Sequence, residues 1–117
     1  MHRLSDFQAV RNTEIDEGYL AFNVCSRLLY AKYFDTIAVI NEFENWFHKL
    51  KDLAEENSEL AMAFLITRIR RAIFYQQHAD VHNFHDELEA HYDKGVAKLV
   101  NCEINFYFNT DRFNHCA

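Results

Sequence analysis

The chain has 117 residues, with 12 Lys plus Arg against 18 Asp plus Glu, 11 Phe, 6 Tyr and 1 Trp, half of it apolar and none of it proline. So much aromatic surface excludes a solvated coil, and a formal charge of −6 argues against a protein that coats nucleic acid, whose affinity comes from Lys and Arg neutralising phosphates. A domain of this length buries roughly two-thirds of the surface its unfolded chain exposes, enough for a core without disulfide or metal staples, so composition points to one acidic, all-α domain spanning 1–117.

Without proline, the elements must be punctuated by caps, glycines and polar clusters. Ser5-x-x-Gln8 is a capping box, and Thr13-x-x-Asp16 offers a second start. From there Ile15, Tyr19, Phe22, Ser26, Leu29 and Tyr33 recur at steps of three and four, one stripe of a first helix. Gly18 weakens that helix by about 1 kcal/mol relative to Ala without ending it. Asp35 is the expected N-cap of a second helix, with Ile37, Ile40, Phe43, Phe47, Leu50 and Ala54 turned inward. Polar Glu55, Glu56 and Asn57 separate it from a third, capped by Ser58, the apolar central helix at about 58–77. There Met62, Leu65, Ile66, Ile69 and Ile73 form one face, and Leu60, Phe64, Phe74 and Tyr75 another nearly opposite. A helix apolar on two sides packs against several neighbours.

Between Gln76 and Asp80 the helix breaks or runs on, with Asp80 available as a cap; Val81, Phe84, Leu88 and Tyr92 then define a fourth segment stopped at Gly95, which suits the position just past a helix end. The tail carries two patterns. Leu99, Val100 and Ile104 fit a fifth helix, whereas Cys102, Ile104, Phe106 and Phe108 alternate with Glu103, Asn105, Tyr107 and Asn109 in the period of a half-buried strand. A lone strand has no ladder partner, so the expectation is a bundle of four to five helices with an irregular or short strand-like C-terminal tail.

Cys25, Cys102 and Cys116 are odd in number, widely spaced and form no C-x-x-C pair, which fits neither a disulfide framework nor a zinc knuckle. They read as small hydrophobes in a reducing cytoplasm, with Cys116 the exposed thiol. The N-terminus, with its early Asp6, has no apolar h-region, and the longest apolar run, Leu60 to Ile66, falls far short of the ~20 residues a membrane helix requires.

Charge is unevenly spread. Residues 36–58 carry 2 basic and 5 acidic groups and residues 80–117 carry 3 and 7, but residues 59–79 carry 3 and 1. The third helix is thus cationic within an acidic protein, and Arg68, Arg70 and Arg71 are expected to meet carboxylates of neighbouring helices or to stack on Phe64 and Tyr75.

Four histidines, His78, His82, His85 and His91, crowd into 14 positions. His78 and His82 are spaced to chelate one ion, but His78 and His85 sit about 10 Å apart along a helix axis. A site would need a ligand from another helix, such as His48. These three are therefore weak metal candidates, and a solvated, pH-sensitive face is the plainer reading. Arg71 and His78 stand as R-x6-H, which resembles the motif of the HEPN ribonuclease families. The resemblance implies an Arg and a His from paired protomers that stabilise and protonate a phosphodiester transition state. Ala72 occupies a place where that motif usually has a polar residue, and an acidic surface suits RNA poorly. With glycine only at 18 and 95, there is no phosphate-cradling loop, dinucleotide fingerprint or G-x-S-x-G elbow.

What remains is surface. On the second helix Val39, Trp46 and Leu53 recur at seven-residue steps, bordered by Glu42, Lys49, Asp52 and Glu56. Such a stripe is either a second packing contact or, if exposed, an aromatic anchor rimmed by acids, facing a basic partner. Asp86, Glu89 and Asp93 extend the acidic character. The profile, small, acidic, helical and without a catalytic signature, resembles bacterial toxin-immunity proteins, antitoxins and phage-encoded inhibitors, in type and not by motif. The resulting expectation is a non-enzymatic protein without cofactor. It binds a basic protein such as a toxin nuclease through Glu42, Trp46, Asp52, Glu56, Asp86, Glu89 and Asp93, and has no nucleic-acid or membrane partner. A homodimeric structural module and a HEPN-like or metal-dependent RNA enzyme are the alternatives.

Overall fold

The computed structural model describes the backbone at residues 4–31 and 36–108, and side chains at 12–31 and 36–107. Five α-helices follow in order: α1 (Leu4–Leu29), α2 (Ile37–Glu56), then, after a 3-10 turn at Ser58–Leu60, α3 (Ala61–Phe74), α4 (His78–His91) and α5 (Lys94–Phe108). No strand occurs among the described residues, so the protein is all-α. Two compact units divide the chain, Met1–Thr67 and Arg68–Ala117, with the boundary inside α3.

In the first unit α1 packs on α2. The buried seam of α1 is Gly18, Ala21, Cys25 and Leu29, one position round from the stripe the large side chains suggested. Ile15, Phe22 and Ser26 are only half-buried, and Tyr19 is 45% exposed. The physical reason is close approach. A Cβ built on Gly18 would overlap both terminal methyls of the fully buried Leu60 and come within 3.0 Å of its Cγ. The proposed capping box at Ser5 and the stripe's Tyr33 lie outside the described side chains.

On α2 the expected inward stripe holds at Phe43, Phe47 and Leu50, which are buried, and partly at Ile40 and Ala54. Each such large side chain contributes roughly 1.5–3 kcal/mol when fully buried. Phe47 stacks on Phe43 at 5.9 Å and tilts against Phe64 at 5.3 Å. Ile37, in the first turn, is 77% exposed instead. Asp35 lies outside the described residues, and the N-cap is Thr36, whose hydroxyl accepts from the Val39 N–H at 3.4 Å. At the other end Asn57, and not Ser58, makes the corner. Its backbone N–H and its Nδ2 both donate to the Leu53 carbonyl at 3.0 Å, and Nδ2 also donates to Glu14 Oε2 at 3.1 Å. This buried amide ties the end of α2 to α1.

Helix α3 is shorter than the expected 58–77 and is buried on more than one side, at Ala63, Leu65, Ile66, Thr67, Ile69, Ala72 and Ile73. Thr67 satisfies its hydroxyl within the helix, donating to the Ala63 carbonyl at 2.9 Å. The helix ends in a Schellman motif: Gln76 takes the left-handed conformation (φ 58°), its N–H donates to Ile73, and the Gln77 N–H donates to Ala72 at 2.8 Å. The chain therefore breaks here, and Asp80 falls inside the first turn of α4.

In the second unit α4 packs on α5. Val81, His85 and Leu88 are buried on α4, and Ala97, Val100 and Ile104 on α5, at helical steps of three and four. The alternation at 102–108 therefore does not make a strand. Asp93 explains why: its carbonyl accepts from Ala97 at 2.9 Å and its Oδ1 from the Val96 N–H at 2.9 Å, so α5 is nucleated with a proper N-cap. Gly95 consequently lies inside the first turn of α5 and not past the end of α4. Asn109 and the rest of the expected tail lie outside the described residues.

Candidate functional site

The site is built on the outward flank of α2. At 100° per residue, Trp46, Glu42, Glu56 and Asp52 fall within an arc of about 120°, and Lys49 stands among them. Glu42, Lys49, Asp52 and Glu56 are exposed, while Trp46, Val39 and Leu53 are half-buried. The seven-residue stripe therefore both packs and reaches the surface. Lys49 Nζ lies 5.5 Å from the centre of the Trp46 ring and 4.0 Å from Glu17 Oε2 of α1. Its side chain and that of Glu17 are 48% and 47% exposed, so water screens the pair and it contributes little to stability. The sequence reading placed Lys49 on the rim but missed Glu17. Nothing local in the sequence signals it, since the pairing crosses from α1 to α2.

The remaining acidic candidates belong to the second unit. Asp86 and Glu89 are exposed on α4, and Asp93, also exposed, is the α5 N-cap just described. One lone pair of its Oδ1 is thereby committed to the α5 cap.

The cationic patch resolves into distinct contacts. Arg70 makes a two-point bond to Glu103, Nε to Oε1 at 3.0 Å and Nη2 to Oε2 at 3.3 Å, with both side chains largely buried. Arg68 lies over the Phe84 ring at 4.1 Å, while Arg71 covers Tyr75 at 4.6 Å. The arginines of α3 thus serve packing at least as much as charge neutralisation.

The histidine face is corrected more strongly. His85 is buried, and its Nε2 meets the Ala97 carbonyl at 2.9 Å. A carbonyl only accepts, so Nε2 carries the proton and donates, joining α4 to α5. His82 is half-buried and His78 exposed. Because the outward geometry fails at His85, the three do not form one solvated face, and no group of three His, Cys, Asp or Glu side chains among the described residues is placed to hold a metal ion. His78, with Ile73, Phe74, Gln76 and Tyr107, lines a cavity of about 350 Å³ beside the α3–α4 turn. His48 makes a local contact with Glu44 at 3.7 Å.

Compared with known proteins, the chain matches no family model, no curated protein and no solved structure. The geometry has to carry the functional reading alone.

The cysteines divide. Cys25 is buried, and burial, reinforced by the charge of Glu44, pushes its thiol up to about 12; it is an inert small hydrophobe. Cys102 is half-buried on α5, and Cys116 lies outside the described residues. Among the described residues no helix is long and apolar enough to cross a membrane.

Proposed function

We propose that this protein is a small acidic binder that neutralises a basic protein partner by covering its cationic surface, and that the partner is a toxin nuclease. The observation that carries the reading is the flank of α2, where exposed Glu42, Asp52 and Glu56 share one side of the helix with a half-buried Trp46. An apolar anchor within a carboxylate rim is the composition of an interface whose core supplies affinity and whose charges supply selectivity and speed. Carboxylates on such a surface stand in for the phosphates that a nuclease's cationic cleft is built to hold, and a net charge of −6 steers a basic partner into encounter. In this reading Asp86, Glu89 and Asp93 add to the long-range field.

The test is a binding and inhibition measurement against a basic nuclease encoded beside this gene. Inhibition is expected, with an affinity that falls steeply from low to high salt and falls again on charge reversal at Glu42, Asp52 and Glu56. Binding that ignores salt, or that survives reversal at all three positions, would falsify the electrostatic mechanism.

A further inference from the structure

We infer that the exposed face of Trp46 is a receptor for an arginine side chain of the basic partner, and that the protein's own Lys49 is a resident competitor for it. The inference rests on the acidic-binder reading and specifies which cation the surface selects. Lys49 shows that this ring already attracts a cation, since its Nζ is held 5.5 Å from the Trp46 centroid and 4.0 Å from Glu17. The hold is loose, because both partners of that ion pair are about half exposed, at 48% and 47%. Charge is left over as well. Glu17 pairs with Lys49, and Glu42 stands one helical turn before Trp46, all three exposed, so these groups are net negative even with the resident cation in place.

A second cation is therefore attracted to a ring already shown to accept one, and the chemistry favours arginine. A guanidinium is planar and weakly hydrated, stacks on indole, and can bond a carboxylate through two N–H groups at once. The ammonium of Lys49 is strongly hydrated, has no plane to stack, and is tethered to a short reach on the same helix. When an arginine arrives, Lys49 swings into water at little cost and Glu17 becomes free to take the newcomer.

Trp46 is the one tryptophan in the chain, so its fluorescence reports this site without labelling. The full-length protein is titrated with hexa-arginine and with hexalysine, which carry equal charge, at low and at high salt. The arginine peptide is expected to perturb Trp46 emission and to bind about three- to five-fold tighter than the lysine peptide, the size of one exposed cation–π contact. Lys49→Ala should tighten hexa-arginine binding by more than Lys51→Ala does. Both changes remove one exposed charge, but Lys51 lies about 140° round the helix from Trp46. Equal affinity for the two peptides, or equal effects of the two variants, would overturn the arginine receptor while leaving the acidic-binder reading intact, provided both peptides still bind with strong salt dependence. If neither peptide binds at low salt, both readings fall together.

Discussion

Gly18 shows how a single residue reverses an argument made from propensity. In an isolated helix a Gly18→Ala change gains about 1 kcal/mol. In the folded protein the added methyl would overlap Leu60, which is fully buried and has no solvent to retreat into. Overpacking of this kind typically costs about 1–3 kcal/mol, so the expected result is a net loss of stability of order 1 kcal/mol, read by chemical denaturation. The same change made in a Leu60→Ala background should lose nothing or gain, because the obstacle is gone and the two sites are in contact. A stabilised single variant would show that Leu60 relaxes freely. His85 and Asp93 teach a related lesson. The sequence pattern offers each as a surface group; His85 is instead buried against the Ala97 carbonyl, and Asp93, still exposed, also caps α5, each through a bond of 2.9 Å.

At the scale of elements, the α3–α4 junction and α5 decide the architecture. Gln76 occupies the left-handed position of a Schellman motif, where an L-residue with a Cβ costs roughly 1–2 kcal/mol. Gln76→Gly removes that strain but gives the unfolded chain about 0.4–1 kcal/mol more entropy to lose on folding, so only a modest rise in melting temperature is expected. Gln76→Ala, which keeps a Cβ, should give none; a fall with glycine would mean that the Gln76 side chain contributes more than its backbone costs. The inward face of α2 is largely legible, and that of α4 at Val81 and Leu88, because large apolar side chains at helical spacing are driven to bury wherever the chain goes; Phe84 is half-buried and Tyr92, past the end of α4, is exposed. The seam of α1 is not legible, because its buried members are Gly18, Ala21 and Cys25, small residues chosen for closeness and not for apolar area. The tail misled for another reason: alternation over eight residues is compatible with both periods, and the choice fell to Asp93, which caps α5 from nine residues upstream of the ambiguous stretch.

For the molecule as a whole, stability is tied to keeping Cys25 un-ionised. The folded protein holds that thiol protonated up to about 12, against 9.0 when solvated. Below pH 9 both states carry the proton and stability is unaffected. Between about 9 and 12 the unfolded chain ionises and the folded one does not, so stability falls as pH rises, by up to about 1.4 kcal/mol per pH unit. Denaturation midpoints measured across this range should decline less steeply in Cys25→Ala than in the wild type; equal slopes would show that the buried thiol contributes nothing to alkaline unfolding. Charge acts at the same scale. The excess of 18 acidic over 12 basic groups sits on exposed positions of α2 and α4, while the arginines of α3 are drawn into stacking and into the Glu103 pair.

The sequence by itself determined the all-α class, the break between α3 and α4 as one of two outcomes, and the acidic flank of α2. All three follow from local periodicity, composition and charge order, which do not depend on where distant segments meet. Only the tertiary structure decided that Gly18 must remain without a side chain, that His85 is a buried donor and not a ligand, and that Lys49 and Glu17 flank Trp46. These depend on contacts between residues far apart in the chain, where a few ångströms of separation determine whether a methyl fits, a proton is shared or a cation finds a ring.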